Sequence, residues 1–264
     1  MKIVVCIKQV PDTNEVKLDP KTNRLIRDGV PSIINHDDKS GIEAALQLKE
    51  KVGGTVTVVC MGPPQADVAL REALAMGCDE AYLLSAREFG GSDTCATAII
   101  ISTALKKIGY DLVITGRQAI DGDTAQVGPQ IAEKLGLPQI SYAAEIVKEG
   151  NEVTVKRMLE DGYMKIKVQT PCLITCISDQ DSKARYMTLN GINHCYEKPY
   201  LVLDFEALKD EPLIELDKIG LKGSPTNIFK SFTPPQKGVG TMLEGADKNT
   251  AETLANILLE KHVI

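Results

Sequence analysis

The chain has 264 residues, a net charge of −6, 43% hydrophobic residues and 25% charged residues. This composition is ordinary for a globular protein, and the length suffices for one core with a smaller appendage. The acidic balance argues against nucleic acid as a partner. The longest apolar stretch, Ala96 to Leu105, is too short to span a bilayer. The N-terminus lacks the features of a signal peptide, so we expect a cytoplasmic protein.

Hydrophobic periodicity predicts strands that alternate with helices in the first half of the chain. We expect strands at residues 3–10, 55–61, 81–84 and 112–114, and helices at residues 37–52, 65–76, 94–108 and about 124–136. Residues 12–30 predict a hairpin-like excursion after the first strand. Asp37, Asp93 and Asp123 are the expected N-caps of three of these helices. The alternation predicts a parallel sheet with right-handed crossovers.

After Ile140 the pattern changes to short strands at residues 145–148, 152–159, 164–169 and 173–177, with a hairpin signal at Asp161-Gly162. The sheet should therefore become antiparallel at one edge. From about Tyr200 the spacing is irregular, apart from a helical stripe at residues 249–262. We expect an α/β domain at residues 1–199 and an extended C-terminal arm at residues 200–264. Because this arm has few means of building its own core, it should pack on a partner subunit.

The seven cysteines and three histidines do not form a metal-binding pattern. There is no Cys-x-x-Cys pair, so we predict neither a zinc site nor an iron–sulfur site. Cys172 and Cys176 lie four positions apart in a predicted strand, so both should face one side of the sheet and pack in the core. Reduced thiols are typical of a reducing compartment.

The most informative stretch is Asp111 to Pro129, where an apolar run is followed by a glycine, a polar turn and a helix. Ligands of open α/β sheets lie beyond the carboxyl ends of the strands, and a free helix N-terminus attracts anions. Gly116 and Gly122 permit close approach of a ligand, and a bulkier residue at position 122 should crowd the turn. Thr124 and Gln126 add side-chain donors. The stretch predicts a nucleotide phosphate site, with a capped turn that binds nothing as the alternative.

Two carboxylates in this stretch should repel a diphosphate and therefore need another role. Asp123 is expected to cap the following helix. Asp121 is expected to form the turn, to pair with Arg117 or to bind a ribose hydroxyl. Arg117 is the candidate for tuning the charge near a diphosphate or a flavin, with a plain ion pair to Asp121 as the alternative.

Several motifs, in order along the whole chain, resemble the β subunit of electron-transfer flavoproteins. They are Val5 to Asp12, Gly62-Pro63, Gly116 to Gly128 and Arg185 to Leu189. The resemblance implies a Rossmann-like adenine-nucleotide-binding fold of the HUP type, in which helices flank a parallel sheet. It also implies a heterodimer with an α subunit that carries a redox flavin.

Taken residue by residue, the resemblance implies nucleotide contacts from four parts of the chain. They are Cys6, then Asn35, His36, Asp37 and Asp38, then Met61, and finally Gly116, Arg117, Gln118, Ala119, Ile120, Asp121, Gly122, Asp123, Thr124, Ala125, Gln126 and Val127. His36 stands where the family pattern has proline, which weakens the inference about the backbone there. It is either an ordinary solvated residue or a cation near a phosphate or a reduced flavin.

Residues 185–196 match the recognition loop of the family, and Leu189 matches the leucine that anchors the dehydrogenase partner. Without the resemblance, Leu189 would be a routine loop residue.

Members of the family differ in what the β site holds. In conventional electron carriers it holds structural AMP. In bifurcating members it holds the ADP half of a second FAD, whose flavin accepts hydride from NADH. One electron then passes toward the α flavin and an acyl-CoA dehydrogenase or related partner. The other passes to ferredoxin or flavodoxin. Residues 121–126 and 223–234 resemble the bifurcating members, so we predict FAD, with AMP as the alternative. Any oxidoreductase activity would belong to the complex and its flavins, so no catalytic side chain is expected.

A stand-alone adenine-nucleotide sensor of the same fold is a third hypothesis. The long C-terminal tail argues against it, because a free monomer would expose that tail.

Overall fold

The computed structural model describes residues 1–12, 31–178, 183–226, 238 and 240–264. The chain divides into two compact units, Met1–Asn227 and Ile228–Ile264. The predicted excursion at residues 12–30 lies outside the described residues except for Asp12, and so does most of the segment at residues 223–234. The expected domain boundary after residue 199 differs from this division. Residues 200–226 belong to the first unit, whereas the packing of an arm on a partner stays a prediction.

A nine-stranded sheet lies at the centre of the described part of the first unit. The strands in chain order are β1 (Lys2–Ile7), β2 (Gln9–Pro11), β3 (Ser32–Ile34), β4 (Thr55–Met61), β5 (Glu80–Leu84), β6 (Leu112–Gly116), β7 (Gln139–Glu149), β8 (Glu152–Met158), β9 (Tyr163–Gln169), β10 (Cys172–Cys176) and β11 (Tyr200–Leu203). The order across the sheet is β11-β5-β4-β1-β6-β10-β7-β8-β9, and β2 pairs with β3 separately. Pairing is parallel from β11 to β7 and antiparallel through β8 and β9. This confirms the predicted parallel sheet with an antiparallel edge.

Helices cover both faces of the parallel part. The helices of the described residues are, in chain order, α1 (His36–Val52), α2 (Asp67–Met76), α3 (Thr94–Ile108), α4 (Val127–Leu135), α5 (Leu189–His194), α6 (Phe205–Leu208), α7 (Gly220–Gly223) and α8 (Lys248–Glu260). The first four of them cover the two faces of the sheet, and α8 belongs to the second compact unit. Along β1, Ile3, Val5 and Ile7 pack in the core that α1 and α2 share, while Val4 and Cys6 pack in the core of α3 and α4. Strand periodicity thus builds a core on each face of one sheet. Cys172 and Cys176 are both buried in the first of these cores, as predicted.

Some element bounds differ from the prediction. The predicted strand at residues 3–10 is two strands, because the backbone N–H of Lys8 donates to the Asp38 carboxylate and not to a neighbouring strand. Tyr200–Leu203, where regular spacing was predicted to end, pairs with β5 at the edge of the sheet. The predicted N-cap Asp37 lies inside α1, which begins at His36, and its carboxylate accepts the backbone N–H of Ser178. Within the described ranges, no helix is long and apolar enough to cross a membrane.

Candidate functional site

An open cleft of about 1000 Å³ lies at the carboxyl ends of β1, β4, β5 and β6. The strand β1 lies between β4 and β6, where the direction of strand order reverses, which is the usual position of a ligand in an open α/β sheet. Residues from four segments line the cleft, at 6–9, 61–66, 84–94 and 115–128, with Asp38, Thr97 and Ile101 between them. The ligand site predicted at the carboxyl ends of the strands therefore coincides with a real cavity.

Most of the predicted site residues line this cleft. They are Cys6, Asp38, Met61, Gly116, Arg117, Gln118, Ala119, Gly122, Asp123, Thr124, Ala125, Gln126 and Val127. The remaining residues of the prediction lie outside its lining. They are Asn35, His36, Asp37, Ile120 and Asp121.

Asn35 supports the cleft from behind. Its side chain is fully buried, its Nδ2 donates to the carbonyl of Gln118 over 2.8 Å, and its Oδ1 accepts the N–H of Ile120 over 3.1 Å. Asn35 therefore fixes the backbone of the loop that follows β6. His36, the first residue of α1, is exposed.

Asp38 joins the ends of the two central strands. One carboxylate oxygen accepts the N–H of Lys8 after β1 over 2.7 Å, and the other accepts the N–H of Gly116 at the end of β6 over 3.0 Å. A Cβ atom at position 116 would lie 2.2 Å from Asp38 Oδ1, so only glycine fits there. Burial raises the pKa of Asp38 to about 7, against the opposing effect of these hydrogen bonds. The cleft therefore has on its floor a carboxyl group that titrates near neutral pH.

Asp121 is neutralised by a lysine. Lys8 Nζ lies 2.6 Å from one carboxylate oxygen of Asp121 and 2.8 Å from the other, and the Asp121 side chain is only 7% exposed. The predicted alternative of an Arg117–Asp121 ion pair is wrong. The Arg117 guanidinium instead faces Asp37, with 3.3 Å between Nε and Oδ2, and lies 5.8 Å from the centre of the Tyr142 ring. Asp121, one of the two carboxylates expected to repel a diphosphate, thus adds little net charge to the cleft.

Asp123 does not cap α4, contrary to the prediction. The helix begins at Val127, and Asp123 adopts a φ of 48° while its carboxylate accepts a bond of 2.9 Å from Gln118 Nε2. Ala125 also has a positive φ of 52°, and Gln126 returns to the right-handed region. Alternation of left-handed and right-handed residues turns successive N–H groups to one side, which makes an anion-binding nest. The local sequence resembles a cap, but the positive φ of Ala125 beside the right-handed Gln126 is typical of such a nest.

The first turn of α4 remains available to a ligand. In the described part of the chain, no side chain caps this helix at its N-cap residue Gln126. A Cβ atom at Gly128 would lie 2.7 Å from Thr115 Oγ1 and 2.9 Å from Thr175 Cγ2, so the helix starts directly against β6 and β10. An uncapped helix N-terminus in a cleft stabilises an anion through its free N–H groups and its dipole.

Gly122 faces open space. No atom of the described residues lies within 4 Å of a Cβ atom built at this position. The prediction that a bulkier residue would crowd the turn is therefore wrong, because the neighbouring volume belongs to the cleft and not to the protein.

The second wall of the cleft, residues 84–94 with Thr97 and Ile101, was missed from the sequence. It runs from the end of β5 to the start of α3, where Asp93 accepts the N–H of Ala96 over 3.0 Å and caps the helix as predicted. Thr94 Oγ1 donates to Gln126 Oε1 over 2.8 Å and joins this wall to the loop before α4. The Ser92-Asp93 cap signal marked the helix start. The sequence alone did not show that the start of α3 lies at the cleft, because that position follows from the order of the strands in the sheet.

Leu189 is the first residue of α5, lies outside the cleft lining and is 77% exposed. Thr188 caps this helix by accepting the N–H of Gly191 over 2.9 Å. Within the described ranges, no group of three or more His, Cys, Asp or Glu residues is arranged to hold a metal ion.

Comparison with known proteins places this geometry in a family. The family model for the electron transfer flavoprotein domain matches residues 22–188. The acryloyl-CoA reductase electron transfer subunit gamma of Anaerotignum propionicum is 65% identical over 268 residues. The electron transfer flavoprotein subunit beta of Thermoanaerobacterium thermosaccharolyticum is 52% identical over 264 residues, and subunit CarD of the caffeyl-CoA reductase-Etf complex of Acetobacterium woodii is 52% identical over 267 residues. Each alignment covers 100% of this chain and 100% of the relative.

The resemblance read from the motifs is therefore confirmed over the full length of the chain, which belongs to the electron transfer flavoprotein family, among its β subunits.

Proposed function

We propose that this chain is the β subunit of an electron-bifurcating electron transfer flavoprotein complex and binds FAD in its cleft. When bound, FAD would supply hydride acceptance from NADH and the release of single electrons. In this proposal the complex delivers one electron to a flavin of an α subunit, and from there to an acyl-CoA dehydrogenase-type partner. It delivers the other electron to ferredoxin or flavodoxin.

The observation that carries the proposal is the size of the cleft together with its two walls. A volume of about 1000 Å³ lies at the upper end of the range of about 300–1,000 Å³ typical of ligand pockets. The features suited to binding phosphate, the loop before α4 and the uncapped N-terminus of α4, both lie on one wall, in residues 115–128. The second wall, residues 84–94 with Thr97 and Ile101, adds apolar surface from Phe89 and Ile101. A mononucleotide on the first wall would leave much of the second wall uncovered, whereas a dinucleotide offers a further ring system to cover it.

The residues of the first wall suit a diphosphate. The backbone N–H groups of residues 124–126 and of the first turn of α4 would hold the phosphate oxygens, since the positive φ of Ala125 beside the right-handed Gln126 suits a nest and the helix is uncapped. The N–H of Asp123 is not available, because it donates to the carbonyl of Ala119 over 2.9 Å. Lys8 removes the repulsion from Asp121, and Gly122 leaves free space beside the backbone. Arg117, which lines the cleft and is held by Asp37 and Tyr142, would offer its remaining N–H groups to the ligand, while Asp37 balances its charge.

The proposed partners rest on the names of relatives and on exposed surface. Similar proteins are named as subunits of acryloyl-CoA reductase and of a caffeyl-CoA reductase-Etf complex, which supports a dehydrogenase-type partner that acts on a CoA thioester. None of the described residues 248–260 of α8 is buried, although Leu254 and Leu259 are apolar. We propose that this C-terminal arm packs on an α subunit and that Leu189 contacts the dehydrogenase.

The alternative is a conventional electron carrier whose cleft holds AMP. It is compatible with the first wall of the cleft, because the nest and the α4 N-terminus would bind a single phosphate as readily as two.

A count of nucleotides separates the two functions. The heterodimer is purified and denatured, and the released FAD and AMP are measured per αβ pair. We expect two FAD and no AMP. One FAD with one AMP overturns the bifurcation proposal and supports the conventional carrier.

A second measurement tests the proposed reaction. NADH oxidation by the heterodimer is followed with a CoA-thioester reductase partner, with and without ferredoxin. Bifurcation requires that NADH oxidation and ferredoxin reduction depend on each other. Ferredoxin that stays oxidised while the thioester is reduced contradicts the proposal.

A further inference from the structure

The helix α5 presents apolar side chains to solvent although it is too short to be stable alone. It has 6 residues, and its Leu189 and Ile192 are 77% and 45% exposed. Isolated helices much longer than this are marginal in water. Contacts with the rest of the chain must therefore hold α5 in place.

The chain before α5 is fixed to α1 by Arg185. Its Nε and Nη2 donate to Glu43 over 2.8 and 3.0 Å, and its backbone N–H donates to the same carboxylate over 3.0 Å. Its Nη1 donates to Glu50 over 2.5 Å. Burial acts to raise the pKa of Glu43, but the hydrogen bonds from Arg185 outweigh it and leave the pKa below the usual value. Such a forked, charge-assisted arrangement defines both position and orientation.

The chain after α5 is fixed to α2 by Arg71. The centre of its guanidinium lies 4.8 Å from the Tyr196 ring and 4.3 Å from the Tyr200 ring. Its Nη1 donates to the carbonyl of Cys195 over 3.0 Å, at the end of α5. Tyr196 is itself 73% exposed, so the cation and not burial holds this ring in place.

A third cation and a close backbone contact complete the attachment. Lys198 Nζ donates to the carbonyls of Leu74 and Cys78 over 2.8 and 2.6 Å, at the C-terminal end of α2, where the helix dipole favours positive charge. A Cβ atom at Gly191 would lie 2.1 Å from the carbonyl oxygen of Ala75, so the backbone of α5 rests directly on α2.

We propose that Arg185 and Arg71 are positioning residues that hold α5 in its docking geometry before the dehydrogenase-type partner arrives. This inference rests on the proposed function, in which Leu189 contacts that partner. A helix that is already fixed spares the complex the cost of ordering it at each encounter. If α5 were fixed in only a fraction of the molecules, the apparent affinity for the partner would be its intrinsic value multiplied by that fraction.

The experiment uses the full heterodimer with an acyl-CoA dehydrogenase-type reductase as the varied electron acceptor. We expect Arg185→Gln and Arg71→Gln to raise the KM for the reductase by about fivefold or more, because the fixed fraction of α5 falls, with kcat and flavin content unchanged. Glu43→Gln should raise the KM in the same direction as Arg185→Gln. The double variant Glu43→Gln/Arg185→Gln should have the same KM as Arg185→Gln alone, because both substitutions break one contact. Arg185→Lys should recover part of the affinity. Lys209→Gln, which breaks an exposed ion pair with Glu206 on α6, is the matched control.

Amide hydrogen exchange supplies a readout that needs no partner. The amides of Gly191 and Ile192 should exchange faster in Arg185→Gln and Arg71→Gln than in the control. If Arg185→Gln fails to fold, the double variant Glu43→Ala/Glu50→Ala removes both carboxylates that hold Arg185, and an unchanged KM in that variant overturns the proposal.

Leu189→Ala distinguishes the proposed docking at Leu189 from the proposed positioning of α5 by Arg185 and Arg71. If it leaves the KM for the reductase unchanged, the proposed docking at Leu189 is wrong. If it raises the KM while Arg185→Gln and Arg71→Gln match the control, docking stands and the positioning role is overturned.

Discussion

Gly116 and Gly122 belong to the same loop but have opposite surroundings. At position 116 a methyl group would meet Asp38 Oδ1 at 2.2 Å, whereas at position 122 no described atom lies within 4 Å. We expect Gly116→Ala to cost about 1–3 kcal/mol of unfolding free energy through overpacking. Gly122→Ala should cost less than about 0.5 kcal/mol but lower the nucleotide content of the purified protein. Urea unfolding of the nucleotide-free protein checks the two free energies, and analysis of bound nucleotide checks the content. If Gly122→Ala retains as much nucleotide as the wild type, no ligand passes this position.

Asp38 should make folding stability depend on pH in an unusual direction for an aspartate. Burial raises its pKa to about 7 in the folded protein, above the value of about 3.9 in an unfolded chain. The folded state therefore binds the extra proton between these values, and stability falls as pH rises toward 7. Asp38→Asn cannot titrate, so its unfolding free energy should decline less between pH 5 and pH 8.

The substitution also leaves a backbone N–H without its acceptor, which lowers stability by an amount that does not depend on pH, so the slope is the informative quantity. Asp210→Asn, at an exposed position, is the control. Equal slopes for wild type and Asp38→Asn contradict the prediction.

Two aspartates with the same apparent role at a helix start differ in the structure. The Asp93 carboxylate caps α3 and also accepts the N–H and the hydroxyl of Thr226 over 3.0 and 2.7 Å, whereas the Asp123 carboxylate bonds only to Gln118 among the described residues. Asp93→Ala should therefore cost about 1–2 kcal/mol, the usual loss for an N-cap, and Asp123→Ala less than about 0.5 kcal/mol. Thermal unfolding of both variants tests the assignment. The larger loss in Asp123→Ala would contradict it.

The pH dependence of the Asp93 cap has the ordinary sign. Burial acts to raise its pKa, but the hydrogen bonds from Ala96 and Thr226 outweigh it and lower the pKa. Its contribution to stability is present above the unfolded pKa and is lost as pH falls through the folded value.

Local pattern was sufficient for most elements and insufficient for the site. The strands and long helices were predictable because their periodicity reflects a sheet covered on both faces. The start of α4 was not, because Asp-Gly-Asp-Thr reads as a cap, and only the loop geometry shows the positive φ of Asp123. The Lys8–Asp121 pair joins residues 113 positions apart, and the short strand β11 acquires its role only by pairing with β5. Such long-range contacts leave no signal in one sequence.

At the scale of the whole molecule, the first compact unit ends at Asn227 and contains the entire cleft lining. A chain truncated after residue 227 should therefore keep the melting temperature of the first unit within a few degrees. It should lose co-purification with the α subunit, if the arm with α8 is the attachment that we propose. Co-expression and affinity purification test this, with the full-length chain as the reference. Undiminished capture of the α subunit by the truncated chain would contradict it.

The sheet ends at β9, whose outer edge has no neighbouring strand in the described part of the chain. An open edge offers unpaired backbone groups to any other extended chain and so favours aggregation. Along β9, Ile166 and Val168 pack toward the core while Lys165 and Lys167 are exposed. Two lysine charges on a short edge strand repel a second copy of the same edge. We therefore expect a subunit synthesised in excess of a partner to be protected from joining its own copies into a continuous sheet.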